Sequence, residues 1–126
     1  MSSMRIVALV ALLGLAALFV PRLVASRDRT RDIQVVVRGM TYYVDGDSAA
    51  NPELRLRAGE LVRVTLRNED RGMQHDFGIR AWSANTGIVE YGREGSVVFR
   101  VPSRAEDVDY TCTPHSAMMR GHIAIQ

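Results

Sequence analysis

Val108-Asp-Tyr110-Thr-Cys112-Thr-Pro114-His115-Ser-Ala-Met118-Met119-Arg-Gly121-His122-Ile123-Ala-Ile125 reads as a strand, a loop and a second strand. Val108, Tyr110 and Cys112 stand at spacing two, the repeat that puts alternate side chains on one face of a β-strand. Ile123 and Ile125 resume that repeat after the loop, with His122 and Ala124 on the other face, so His122 is expected to look toward solvent. Between the strands lie the chain's single cysteine, a histidine and two methionines. A thiolate, an imidazole and a weak thioether suit a copper ion that cycles between two oxidation states, because sulfur favours Cu(I) and imidazole accepts both.

Upstream, the same period of two recurs. Ile33, Val35 and Val37 alternate with Gln34 and Arg38, and Met40 to Val44 is a second β-rich run. Leu54 and Leu56, then Val62, Val64 and Leu66, then His75, Phe77 and Ile79, and finally Val97, Phe99 and Val101 each give one apolar face. Asp45-Gly46-Asp47, Asn51-Pro52 and Ala58-Gly59 mark turns, and Asn68 to Gly72 is a polar loop. The segment Ala81 to Tyr91 reads as an irregular connection with a short strand at Ile88 to Tyr91. Seven or eight short strands without a helical period predict an all-β fold, an antiparallel Greek-key sandwich or barrel. Trp82 and Tyr110 are expected to serve the core rather than an electron relay.

At 126 residues the chain has room for one domain of ordinary size. Its basic side chains are all arginine, and from Ser26 onward 14 of them face 14 acidic residues. That balance offers no basic stripe for nucleic acid. One cysteine excludes an internal disulfide and any site that needs two thiolates from one chain. Ile6 to Val20 is an uninterrupted apolar run after Arg5, and Val24-Ala25-Ser26 offers small residues for cleavage. The expected organisation is a signal peptide or helical membrane anchor over residues 1–25, a charged linker over 26–31 and a copper-binding domain over 32–126. Export to the periplasm, or anchoring through residues 6–25 facing it, follows from that run.

Cys112 and His115 can reach one ion across a loop stiffened by Pro114, and Met119 begins the return as a long axial ligand. The remaining histidine must come from elsewhere, and His75, on an inward-facing run, is the obvious donor. Met119 is preferred to Met118 because it directly precedes the Arg-Gly that opens the last strand. From Asp32 to Gln126 the chain resembles the cupredoxin, or blue-copper, family. Cys112-Thr-Pro-His115 is similar to the plastocyanin and amicyanin loops, and His115-Ser-Ala-Met-Met-Arg-Gly121 to the azurin ending. The resemblance implies one Cu(I)/Cu(II) ion held by His75, Cys112, His115 and Met119. His75-Asp-Phe-Gly-Ile79 and Met119-Arg-Gly-His-Ile123 are also similar to the copper domain of cytochrome oxidase subunit II, but a binuclear site needs a second cysteine.

Where the family often has an asparagine after the upstream histidine, this chain has Asp76. Its expected roles are to tie the two ligand loops by accepting hydrogen bonds around Thr113, or to lower the reduction potential through its charge. The first functional expectation is a monomeric type 1 copper protein that passes single electrons between redox protein partners. The alternative is a periplasmic carrier that delivers Cu(I) to an oxidase, and a third is a sandwich module that no longer uses the loop. Four protein ligands leave no open position for a substrate, so an enzyme is not expected.

Overall fold

The computed structural model describes residues 29–104 and 108–126; the expected N-terminal helix and the first half of the linker lie outside them. Among the described residues nine strands follow in order: β1 (Arg31–Arg38), β2 (Thr41–Val44), β3 (Leu54–Leu56), β4 (Leu61–Asn68), β5 (Gly78–Ile79), β6 (Ala84–Asn85), β7 (Glu94–Arg100), β8 (Val108–Thr111) and β9 (Arg120–Ile125). One turn of 3-10 helix, Arg80–Trp82, precedes β6. The strands make two sheets, ordered β2-β1-β4-β7 and β3-β9-β8-β5-β6. The chain passes repeatedly from one to the other, so an all-β sandwich forms as expected.

Two features differ from the expectation. β1 runs parallel to β4 and β3 parallel to β9, so both sheets are mixed rather than antiparallel. The chain changes sheet after β2 and after β3, so strands that are near in sequence pair with partners brought in from elsewhere; periodicity reports faces and carries no information on direction. The irregular segment also contributes the two-residue β6, whereas the strand expected at Ile88 to Tyr91 is reduced to a single bridge between Val89 and His75.

The core is the set of inward faces read from the sequence. Ile33, Val35 and Val37 from β1, Val62, Val64 and Leu66 from β4, and Phe99 from β7 meet Leu54, Leu56, Ile79, Val108, Tyr110 and Ile123 from the other sheet. Removing each such side chain from water contributes about 1.5–3 kcal/mol. Val36 is also fully buried, although it points to the opposite face of its sheet. There it lies between Tyr43 and Arg67, its register partners, whose long side chains flank it.

One end of this core is aromatic. The Tyr42 ring meets Phe77 edge-on at 5.9 Å and Tyr110 at 5.3 Å, and Phe77 stacks on Tyr110 at 5.0 Å. Both phenols are buried and both are bonded: Tyr42 donates to the Asp76 carbonyl at 2.5 Å and Tyr110 to the Pro52 carbonyl at 2.6 Å. Tyr110 is thus a core residue, as expected. Trp82 packs on Phe99 from the partly buried margin of the core.

Candidate metal centre

Two chain segments converge beside the aromatic end of the core. The first is anchored by Asn68 at the close of β4. Its side-chain amide donates to the carbonyls of Met73 and Val89, and its side-chain oxygen accepts from the Asp70 N–H at 2.8 Å. A turn from Asp70 to Met73, with Gly72 at φ 77°, then reverses the chain. His75 follows, held by its backbone to Val89 through two hydrogen bonds of 3.2 and 2.7 Å. The ring is fully buried.

The second segment is the loop after β8. His115 N–H donates to the Cys112 carbonyl, and Met118 and Met119 N–H donate to the His115 carbonyl, at 3.1 and 2.9 Å. The Cys112 N–H closes the loop on the Met119 carbonyl at 3.1 Å. Successive turns therefore bring Cys112, His115 and Met119 to one place. Met118 is 61% exposed and Met119 fully buried, so the two thioethers divide between rim and interior.

His75, Cys112 and His115 bring one ligand atom each within 4.8 Å of one another. Each imidazole turns Nδ1 toward the thiol, at 3.7 Å for His75 and 3.6 Å for His115, and the two ring centres are 5.0 Å apart. Two nitrogens and a sulfur at these separations surround a point between them, a donor set that fits copper. Burial raises the Cys112 thiol above its usual range, and burial likewise lowers His75, against the opposing pull of Asp70. A metal ion reverses the first effect, because it takes the thiolate as its ligand.

The residue after His75 ties the first segment to the second. Asp76 is 3% exposed; one carboxylate oxygen accepts from the Thr113 N–H at 2.6 Å and the other from the Asn85 amide at 3.0 Å. The loop-tying role expected of Asp76 is present in the structure. His122 lies outside the cluster, 3.5 Å from the Asp109 carboxylate and partly exposed. A groove of about 480 Å³ is bordered by Arg31, Asp32, Val44 and Leu54 at the far end of β1.

Sequence reasoning did not find Asp70. Its carboxylate accepts from the N–H groups of Gly39 and Met40, at 2.5 and 2.8 Å, and lies 3.0 Å from His75 Nε2. Gly39 and Met40 both have positive φ and form the tight β1–β2 turn, so only the assembled fold brings them to Asp70. No spacing rule links these positions in advance.

Residues 63–126 match the family model for copper binding proteins of the plastocyanin/azurin family. The chain belongs to that family. This cupredoxin binds copper, and one His75-Cys112-His115 cluster per chain is consistent with one ion. Among solved structures, auracyanin B is 21% identical with a TM-score of 0.62, over 76% of this chain and 88% of its own. Auracyanin A, a "blue" copper protein from the green thermophilic photosynthetic bacterium Chloroflexus aurantiacus, is 17% identical with a TM-score of 0.61, over 78% and 100%. An amicyanin variant in its reduced Cu(I) form is 25% identical with a TM-score of 0.52, over 75% and 82%. No curated protein matches this cupredoxin.

Proposed function

We propose that the protein is a mononuclear type 1 copper carrier of single electrons, with His75, Cys112 and His115 as close ligands and Met119 as the axial one. The observation that carries this reading is the group of three donor atoms within 4.8 Å at the aromatic end of a hydrogen-bonded sandwich. Copper supplies the one-electron couple. The chain's own residues hold the donors in place: Val89 fixes the His75 backbone, Asp76 fixes Thr113, and Met119 closes the loop on Cys112. Ligands held by the fold in this way move little when the charge on the ion changes, which favours fast transfer. His115 is the one member of the cluster that is not fully buried, and exposed Pro114, Ala117 and Met118 are its loop neighbours. That edge is the proposed contact for redox protein partners outside the cytoplasm.

The apolar run Ile6 to Val20 supports export. The proposed organisation keeps residues 1–25 as signal or anchor, 26–31 as linker and 32–126 as the copper domain. No helix among the described residues is long and apolar enough to cross a membrane. Copper delivery is the second reading, and the exposed Met118 thioether beside the site favours it, since thioethers suit Cu(I).

Cys112→Ser tests the ligand assignment. The parent protein should bind one equivalent of Cu(II) and turn blue, and the variant should stay colourless. A variant as blue as the parent rejects the assignment. Delivery instead predicts Cu(I) binding without a stable blue Cu(II) form.

A further inference from the structure

We propose that Asp70 is a positioning residue that fixes His75 for copper and biases the centre toward Cu(II), lowering its reduction potential. This rests on the reading that copper sits among His75, Cys112 and His115. An ionised carboxylate only accepts hydrogen bonds, so the 3.0 Å contact assigns the ring proton of His75 to Nε2 and leaves the Nδ1 lone pair facing the thiol.

Asp70 is itself held in place. The Gly39 and Met40 N–H groups bind its two oxygens, and Asn68 receives its own N–H. The carboxylate therefore spans from the β1–β2 turn to the buried histidine, and its side chain is only 12% exposed. A neutral acceptor in that place fixes the same tautomer. A carboxylate does more, because it draws the Nε2 proton toward itself, makes the imidazole a stronger donor, and adds negative charge that water screens poorly. Each effect stabilises the more highly charged ion, so Cu(II) gains more than Cu(I).

The test uses the copper-loaded full chain, Asp70→Asn and Glu90→Gln. Glu90 is a nearby carboxylate bonded to the exposed Gln74 side chain, so its variant removes the same charge without touching a ligand. Asp70→Asn should stay blue while its Cu(I)-to-Cu(II) ratio at a fixed potential rises about tenfold, which is about 59 mV for one electron. Glu90→Gln should move that ratio by less than about twofold, because exposed charges are screened. Equal shifts in the two variants, or no shift in Asp70→Asn, overturn the proposal.

Should Asp70→Asn fail to fold, nitrogen-labelled parent protein in the diamagnetic Cu(I) state gives a second reading. The His75 Nε2-bound proton should be far downfield and protected from exchange; a freely exchanging proton at an ordinary shift rejects the contact. A parent that never turns blue rejects the copper reading instead, so the two failures are distinguishable.

Discussion

Met119 and Met118 are chemically alike, and the fold gives them different places. Met119 is buried with its carbonyl on the Cys112 N–H, while Met118 stands in solvent. If Met119 is the fourth ligand, as proposed, Met119→Leu should keep the protein blue but shift the Cu(I)-to-Cu(II) ratio toward Cu(I) by about tenfold or more, since losing a weak thioether donor destabilises Cu(II). Met118→Leu should leave the potential where it was, and redox titration of the two separates them. Asp76→Ala should cost about 1–3 kcal/mol by stranding the Thr113 N–H and the Asn85 amide, measurable as a lower urea midpoint. Cys112 and His115 were readable in advance because the loop motif sits in one short stretch of chain, and His75, with Asp76 beside it, because it stands on an inward-facing run upstream. Asp70 was not, because its partners Gly39, Met40 and His75 meet it only through a turn and a sheet edge.

Strand faces were readable for the same physical reason: a residue at spacing two must share a face with its neighbour, whatever the strand pairs with. Ile33, Val64 and Phe99 turned inward as their alternation required. Strand direction was not readable, and the parallel pairs β1·β4 and β3·β9 followed from chain crossings that leave no local mark. Val36 was missed because alternation assigns it to solvent, whereas Tyr43 and Arg67 flank it. Tyr110 opposite Gly121 in the β8–β9 pair shows what an element demands of one position. A Cβ on Gly121 would overlap the Tyr110 ring, and that ring is packed on Phe77 and tied to Pro52. Gly121→Ala should therefore destabilise by about 1–3 kcal/mol or more, read from thermal or urea unfolding. An unchanged midpoint would show that this strand pair has slack.

For the whole molecule, near-balance of arginines and acids leaves stability to the core and to a few tied carboxylates. The hydrogen bond from Arg38 holds Glu69 below its usual range. Burial pulls Asp70 upward, but the Met40 and Gly39 N–H groups and His75 outweigh it and leave Asp70 below its usual range. Both groups ionise more readily folded than unfolded. Their contribution is complete above the unfolded pKa values and is lost as pH falls through the folded ones, so the metal-free protein should weaken below about pH 4. Urea midpoints across that range check it, with Glu69→Gln falling less steeply than the parent. The fold is proposed to hold one copper ion on the Cys112 thiolate and the His75 and His115 imidazoles as an electron carrier. The most direct test is the visible absorption spectrum of the protein loaded with one equivalent of Cu(II). An intense blue thiolate-to-copper band should appear, vanish on one-electron reduction and return on oxidation; a colourless Cu(II)-loaded protein would contradict copper ligation by Cys112.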